Sequence, residues 1–156
     1  MHTIVVRRPQ RTDYGAWLIL WRAYSDFYKG DISDEITTVT WNRILDPESS
    51  VGGLVAQSTA GDLVGFATFV VHRSTWTVGK VCYMEDIFVA QEHRQRGVGD
   101  MLVKQLIDHA RDKFWERVYW VCRESNEPAR LLFDSFAGGP DGFVRYRVSL
   151  EENHPR

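Results

Sequence analysis

The segment from Lys80 to Phe114 constrains the fold more than any other part of the sequence. It begins with the apolar run VCYMEDIFV, continues through EHRQRGVGD, and ends with apolar residues at steps of three and four. These patterns predict a strand over Lys80–Ala90, a glycine-containing loop, and an amphipathic helix over Val98–Phe114 whose apolar face covers a sheet. We therefore expect an α/β protein built around one sheet.

The rest of the chain supplies the other strands and helices. The predicted strands, identified from short apolar or alternating runs, are Ile4–Arg8, Gly53–Gln57, Leu63–Val71, Val118–Cys122 and Phe143–Leu150. The predicted helices, identified from apolar spacing and capping residues, are Asp13–Tyr28 with Asp13 as its cap, Asp31–Leu45, and one near Pro128 with Asn126 as its cap. The chain has 156 residues and no evident linker or repeat, which predicts one domain over residues 1–156.

Charge and composition argue against several classes of function. The net charge is −2, with 44% hydrophobic and 26% charged residues, which is typical of a globular protein and gives no basic excess for nucleic-acid binding. The N-terminal apolar run is too short for a signal peptide or a membrane span. We expect Cys82 and Cys122 to be buried and reduced in a cytoplasmic protein. No residues show metal-ligand spacing, so no metal is predicted.

The loop that precedes the helix at Val98 has the properties of an anion site. The N–H groups of a first helical turn have no partners within the helix, and the helix dipole adds positive potential there. Two common phosphate loops do not fit, because Gly99 is followed by Asp-Met instead of Lys and Ser or Thr, and Leu102 stands where a dinucleotide fingerprint needs a third glycine. What remains is the pattern Arg94-x-x-Gly97-x-Gly99.

This pattern, between the strand YMEDIFV and an amphipathic helix, resembles the pyrophosphate loop of the GCN5-related N-acetyltransferases (GNAT), which bind acetyl-coenzyme A (acetyl-CoA). The resemblance extends over nearly the whole chain through LW-x-x-Y-x-x-FY, WNRILDP and ESN-x-x-A-x-LL, and these pieces resemble the histone and polyamine acetyltransferase subgroup most. It implies an α/β (α+β) fold with a single mixed central sheet of about six or seven strands flanked by about four helices. It also implies a homodimer built with the strand Phe143–Leu150.

The resemblance also assigns roles to individual residues. The main chain of Ile87, Phe88 and Val89 would pair with the pantetheine arm like an added strand. The residues expected to hold the pyrophosphate are Arg94, Gln95, Arg96, Gly97, Val98 and Gly99. Asn126 would lie beside the cofactor arm or the thioester, and a role as a helix cap alone is equally compatible with the sequence.

Several polar groups are expected on the acceptor side of the site. The hydroxyls of Tyr24 and Tyr28 would reach a cleft, although their helical spacing also suits packing on a sheet. The acidic residues Asp26, Asp31 and Glu35 would suit a cationic acceptor, of which we retain Glu35 as a binding residue. The alternative is that these carboxylates form a solvated face.

Acetyl transfer requires a neutral amine, whereas an alkylammonium has a pKa of about 10.4, so a base must accept its proton near neutral pH. Glu85 and Asp86 are the candidates. Strand alternation would let only one of them face the cleft. We prefer Glu85, because its position resembles that of the base in the polyamine acetyltransferases. The alternative is that one carboxylate pairs with an arginine or caps a buried backbone group. The N–H groups of Ile87 and Phe88 are the expected donors to the oxyanion.

Phe133 departs from the family pattern, which usually has a tyrosine at this position whose hydroxyl protonates the leaving thiolate. A thiol pKa near 8.5 makes thiolate an acceptable leaving group, and we expect water or Ser125 to replace the hydroxyl.

The sequence thus predicts an enzyme that transfers acetyl directly from acetyl-CoA to a primary amine of a polyamine, small amine, amino acid or lysine side chain. The second hypothesis, motivated by Phe133, is a CoA-binding module without efficient catalysis. The third, an unrelated α/β domain with a structural glycine loop, is disfavoured by the length and order of the match.

Overall fold

The computed structural model describes residues 3–150 of the chain. They divide into two compact units, the first ending at Trp120 and the second beginning at Val121. The strands, all in the first unit, are β1 Ile4–Arg7, β2 Val51–Ser58, β3 Leu63–Arg73, β4 Lys80–Val89 and β5 Arg117–Trp120. The helices are α1 Tyr14–Phe27, α2 Asp34–Leu45 and α3 Val98–Asp112 in the first unit, and α4 Glu127–Ala137 in the second.

The strands form one mixed sheet in the order β1-β2-β3-β4-β5. The first four pair antiparallel with their neighbours, and β5 pairs parallel to β4. A parallel pair needs a long crossover, and here the glycine-containing loop and α3 provide it. The predicted α/β class, single mixed sheet and four helices are confirmed.

One face of the sheet is covered by α1 and α2 through a cluster of aromatic side chains. Trp17 is buried between Trp21 and Trp41, with ring centroids 5.1 and 4.8 Å away. Phe66 of β3 and Phe88 of β4 complete this cluster from the sheet. Burial of each of these side chains stabilises the fold by roughly 1.5–3 kcal/mol. The aromatic residues predicted for α1 therefore serve mainly to hold that helix on the sheet.

The opposite face is covered by α3, whose buried residues include Leu102 and Leu106. Gly65 of β3 allows this helix and the neighbouring strand to come close. A Cβ at Gly65 would lie 2.9 Å from the carbonyl oxygen of Phe88 and 3.4 Å from Leu102. Because Gly65 and Phe66 are consecutive strand residues, they contact opposite faces and identify which helices cover each side.

The structure corrects the predicted ends of the chain. Residues 143–150 are exposed and form no strand, so the sheet of the described chain has five strands and not six or seven. A lone extended segment is not stable as a strand without a partner. The end of the predicted strand Val118–Cys122 also differs. In the structure β5 stops at Trp120, so Cys122 lies outside the sheet and is exposed, contrary to the prediction.

Two smaller corrections concern helix starts. Asp13 does not cap α1 with its side chain; instead its carboxylate accepts hydrogen bonds from Arg7 and from the N–H of Gln10. The second helix begins at Asp34 because Ser33 caps it, accepting a hydrogen bond from the N–H of Ile36.

Within residues 3–150, every helix is too short or too polar to cross a bilayer. Cys82 is buried in β4, and burial raises the pKa of its thiol to about 12. Such a thiol stays protonated and is a poor nucleophile near neutral pH.

Candidate active site

The end of β4 offers main-chain groups for an extended ligand. On one side, Ile87–Val89 pairs with Gly65–Ala67 of β3. On the other side, the pairing with β5 ends at Met84 and Trp120 in the described part of the sheet. An extended ligand can add to such an edge by hydrogen bonding to the main chain, as predicted for the pantetheine arm at Ile87, Phe88 and Val89.

A register shift occurs in β4 at Glu85. Asp86 pairs with Thr68, whereas Met84 pairs with Phe69, so the register passes over Glu85. Thr68 and Phe69 are neighbours in β3 and point to opposite faces. Met84 and Asp86 therefore also lie on opposite faces, although they are two residues apart. The strict alternation behind the choice of a single cleft-facing carboxylate does not hold at this bulge.

Asp86 is a buried carboxylate, with 5% of its surface exposed. The hydroxyl of Tyr24 donates to its Oδ1 at 2.5 Å, and the hydroxyl of Thr68 donates to its Oδ2. Asp86 forms no ion pair with the described residues. These bonds connect α1, β3 and β4 at one point on the α1 face, and they occupy both carboxylate oxygens. Glu85, next to it, is exposed.

Of the residues expected to contact the acceptor, Tyr24 lies at this point, where its hydroxyl is bonded to Asp86. Tyr28 is the C-cap residue that follows α1, and its ring centroid is 4.9 Å from that of Tyr24. Glu35 is exposed in the first turn of α2. The structure therefore brings together Tyr24, Asp86 and Glu85, whereas it leaves Glu35 on the surface.

The loop between β4 and α3 has the backbone geometry of an anion site. Gly97 precedes the helix with a φ of 77°, and a Cβ at this position would meet nothing within 4 Å. Gln95 also has a positive φ, 58°. The first hydrogen bond of α3 runs from the N–H of Met101 to the carbonyl of Gly97, at 3.0 Å. The N–H groups of Val98 and Gly99 precede that bond and remain available to an anion.

The two arginines of the loop have different surroundings. Arg94 donates from Nε to the carbonyl of Val89 at 2.9 Å, and its guanidinium carbon lies 5.2 Å and 5.3 Å from the ring centroids of Phe27 and Phe88. These contacts hold the loop against β4 and α1. Arg96 is exposed and forms no ion pair within residues 3–150, so it is the arginine with an uncommitted charge.

The second unit contains Asn126 and Phe133. The side chain of Asn126 accepts from the N–H of Ala129 at 3.3 Å, so its predicted role as the cap of α4 is confirmed. Pro128 lies in the first turn of that helix, also as predicted. Phe133 is buried in α4. In the part of the chain that the structure describes, no group of histidine, cysteine or acidic residues has metal-site geometry.

The fold, the β4 edge and the loop fit an acetyl-CoA site, and comparison with known proteins supplies the family. The sequence model of the Acetyltransferase (GNAT) family matches residues 17–138. The chain belongs to the GNAT acetyltransferase family. It is therefore an acetyl-CoA-dependent N-acetyltransferase, as the sequence predicted, and its residues at the β4 edge and the α3 N-terminus fit that co-substrate.

Two GNAT relatives with established names match most of the chain. D-amino-acid N-acetyltransferase HPA3 of Saccharomyces cerevisiae is 36% identical over 135 residues, covering 86% of this chain and 84% of the relative. Thialysine N-epsilon-acetyltransferase of Bos taurus is 37% identical over 149 residues, covering 85% and 82%. Both names describe acetyl transfer to an amine, and they differ in the acceptor.

A solved structure shares the GNAT fold at lower identity. Aminoglycoside N-acetyltransferase AAC(6')-Iy in complex with CoA superposes with a TM-score of 0.77 and 18% identity, covering 95% of this chain and 96% of that one. At this identity the likeness establishes the fold alone.

Sequence reasoning missed Thr68, the second hydroxyl on Asp86. The available signal was a lone polar residue in the otherwise apolar run LVGFATFVV. Sequence reasoning also gave no role to Tyr83 and Tyr119, whose rings stack at 5.0 Å on the neighbouring strands β4 and β5.

Proposed function

We propose that this GNAT enzyme transfers acetyl from acetyl-CoA directly to the primary amine of a small molecule. The observation that carries the proposal is the position of Glu85 and Asp86 beside the main-chain edge of Ile87–Val89. This arrangement would bring the amine, its base and the thioester to one strand. The names of the relatives favour an amino acid as acceptor, while polyamines, other small amines and protein lysines are the alternatives.

The proposed cofactor contacts are those of the sequence prediction, with different tasks for the two arginines. Bound acetyl-CoA supplies an acetyl group activated as a thioester. The main chain of Ile87–Val89 pairs with its arm, and the N–H groups at Gly97–Gly99 hold its pyrophosphate. Arg96 adds the positive charge, whereas Arg94 orders the loop through Val89 and the two phenylalanine rings. Gln95 contributes its main chain. A place for Asn126 beside the cofactor arm or the thioester stays a prediction of the sequence.

Glu85 is the proposed proton acceptor. Glu85 is exposed at the bulge, where a solvated amine can reach it. Asp86 is buried, and its two oxygens accept hydrogen bonds from the hydroxyls of Tyr24 and Thr68. A base that removes the ammonium proton allows the nitrogen lone pair to attack the thioester carbon near neutral pH. The N–H groups of Ile87 and Phe88 are proposed to stabilise the oxyanion.

A CoA-binding module without efficient catalysis is the second candidate function, and Phe133 is the observation that favours it. The side chain at this position lacks the hydroxyl that the family usually places there. If Phe133→Tyr increases turnover and changes its pH profile, the missing hydroxyl limits catalysis. Unchanged turnover would mean that water or Ser125 already supplies the proton.

One experiment separates the two candidates. A rise in melting temperature with acetyl-CoA reports cofactor binding, and release of CoA thiol across a panel of amines reports transfer. If the protein is an acetyltransferase with efficient turnover, both signals are expected, and thiol is released only when an amine is present. If the protein is a binding module, only the rise in melting temperature is expected. The absence of that rise at millimolar acetyl-CoA would contradict both candidate functions.

We also propose that the chain acts as one cytoplasmic GNAT domain that forms a homodimer through residues 143–150. These residues are exposed, with 72%, 90% and 84% of the surface of Val144, Tyr146 and Val148 accessible. The three occupy alternate positions and would share one face of an extended strand. Such a segment can add to a sheet of a second copy. Sedimentation should give a dimer for the wild type and a monomer for Tyr146→Ser combined with Val148→Ser. A double change of Arg145 and Arg147 to Ser on the other face should leave the dimer intact; a dimer in both variants would contradict this interface.

A further inference from the structure

The α1 face of the sheet continues past Asp86 as a strip of polar aromatic and basic side chains. The strand register identifies this face. Thr68 contacts Asp86 and Tyr24 lies above it, so Thr68 faces α1, whereas Phe69 faces α3, with its ring 6.2 Å from that of His109. Alternation along β3 then brings Val70 and His72 back to the α1 face.

The partners of these residues extend the same face across β4 and β5. Val70 pairs with Tyr83, and Tyr83 pairs with Tyr119. The tyrosine rings are stacked with centroids 5.0 Å apart. Arg117, two residues before Tyr119, lies on the same side with its guanidinium carbon 5.3 Å from the Tyr119 ring. We call His72, Tyr83, Arg117 and Tyr119 the aromatic strip.

Hydrogen bonds orient the phenol of Tyr119. The Nδ1 of His72 lies 2.8 Å from the carbonyl oxygen of Arg73, which can only accept, so Nδ1 carries the proton in the neutral ring. The Nε2 of His72 then accepts from the hydroxyl of Tyr119, at 2.7 Å. The phenol oxygen retains lone pairs that can accept a hydrogen bond from a ligand.

Arg117 supplies a cation at the same place. It is exposed and takes part in no ion pair within residues 3–150, while the Tyr119 ring limits the positions of its guanidinium. A guanidinium is suited to binding a carboxylate through two parallel hydrogen bonds. A donor for a carboxylate and an acceptor for an ammonium therefore lie side by side, which matches the α-carboxylate and α-ammonium of a free amino acid.

The strand register sets the distance from this pair of groups to Glu85. Tyr119 pairs with Tyr83, two residues before Glu85, and Arg117 pairs with Val81, four residues before it. At roughly 3.3 Å per residue, Tyr119 lies about 7 Å and Arg117 about 13 Å along the strand direction from Glu85. An α-amine bound at Glu85 would leave its own carboxylate far from Arg117. A terminal amine on a chain of several carbons spans the distance, with the chain against the Tyr83 ring.

We propose that the aromatic strip binds the α-carboxylate and α-ammonium of a free amino acid whose side chain ends in a primary amine, with lysine as the simplest member. Arg117 holds the carboxylate, the Tyr119 oxygen accepts from the α-ammonium, and the terminal amine reaches Glu85. This inference rests on the proposed function, because it assumes that transfer takes place at Glu85. It adds the acceptor class and the residues that select it.

The test uses two acceptors that differ by one carboxylate, lysine and 1,5-diaminopentane. The expected product from lysine carries acetyl on the side-chain nitrogen. Arg117→Gln should raise the KM for lysine about tenfold with little change in kcat, because a charge-assisted hydrogen bond is lost. The KM for 1,5-diaminopentane should not change. Tyr119→Phe should also raise the KM for lysine and leave the other KM unchanged.

Lys80→Gln is the matched control, because Lys80 lies at the same end of β4 but on the opposite face, one residue before Val81. It should leave both KM values unchanged. Acetylation of the α-nitrogen, or an equal effect of Arg117→Gln on both acceptors, would overturn the inference. Wild-type turnover with other amines but not with lysine would overturn the inference and leave the proposed function standing. An absence of thiol release with every amine would overturn both.

Discussion

At the scale of single residues, two adjacent carboxylates of β4 have different surroundings. Glu85 is exposed at a register shift, whereas Asp86 is buried beneath two hydroxyls that connect it to α1 and β3. We infer that Glu85 handles the proton and Asp86 holds the site together. A substitution of Glu85 should therefore lower activity, whereas the loss of a hydrogen bond to Asp86 should lower stability.

Glu85→Gln is expected to lower kcat near neutral pH by about 100-fold, because it removes the proton acceptor. The loss should shrink as the pH rises toward the pKa of the amine, since the acceptor is then neutral without a base. Steady-state thiol release across this pH range measures the effect. Glu48→Gln, an exposed change outside the site, should keep the wild-type profile. A Glu85→Gln enzyme with normal kcat would exclude Glu85 as the base.

Tyr24→Phe is expected to lower the free energy of unfolding by about 1–2 kcal/mol, because buried Asp86 loses one of its two hydrogen bonds. Urea unfolding measures the loss. Tyr14→Phe, on the same helix with a partly exposed ring, should change stability by less than about 0.5 kcal/mol. A double-mutant cycle with Asp86→Asn should give a positive coupling energy. Additive losses would mean that the hydroxyl and the carboxylate do not stabilise each other.

At the scale of elements, the loop before α3 depends on a glycine with a left-handed conformation. Gly97→Ala should cost roughly 1–2 kcal/mol of stability, because an L-residue is strained at this positive φ. It should also weaken CoA binding, since a Cβ would enter the open space that we assign to the pyrophosphate.

Gly61→Ala provides the matched control for Gly97→Ala. Gly61 has a φ of 95°, lies in the β2–β3 turn, and also has open space around its Cβ position. Both variants should lose stability in urea unfolding, and only Gly97→Ala should lose CoA affinity in calorimetry. Equal CoA affinity in the two variants would contradict the assignment of this loop.

The start of α1 is joined to β1 by Asp13, which accepts two hydrogen bonds from Arg7, at 2.7 and 2.9 Å. The bond from Arg7, supported by the N–H of Gln10, holds the pKa of Asp13 below its usual value. The folded pKa therefore lies below the unfolded one, so the stabilisation is present above the unfolded pKa of about 4 and is lost as the pH falls through the folded pKa.

Asp13→Asn should accordingly narrow the difference in unfolding free energy between pH 7 and pH 3, as measured by urea titration. Asp62→Asn, an exposed change in the β2–β3 turn, should leave that difference as in the wild type. If Asp13→Asn retains the full acid-induced loss, the pair does not contribute to the pH dependence.

Local patterns predicted the elements better than their long-range contacts. Apolar spacing located β4 and α3, and the capping residue Asn126 located α4. The bulge at Glu85 could not be predicted from YMEDIFV, because it depends on the pairing of β4 with β3. Tyr24 and Thr68 lie 62 and 18 positions from Asp86, so no local pattern connects them.

At the scale of the whole molecule, the family match spans residues 17–138 and makes the chain a GNAT acetyltransferase. The prediction of a last strand was wrong for a physical reason. An alternating pattern indicates that a segment suits a strand, but the strand forms only beside a partner, and residues 143–150 have no strand partner within the described chain. A second copy of the chain would supply that partner, which is why the homodimer remains our proposal.

The central claim is that Glu85 and the edge of β4 transfer acetyl from acetyl-CoA to an amine. The most direct measurement is the release of CoA thiol from acetyl-CoA with and without lysine, for the wild type and for Glu85→Gln. We predict release that depends on lysine, one acetylated product per thiol, and a loss of about 100-fold in the variant at neutral pH. Acetyl-CoA binding without release for lysine or any other amine would contradict the claim.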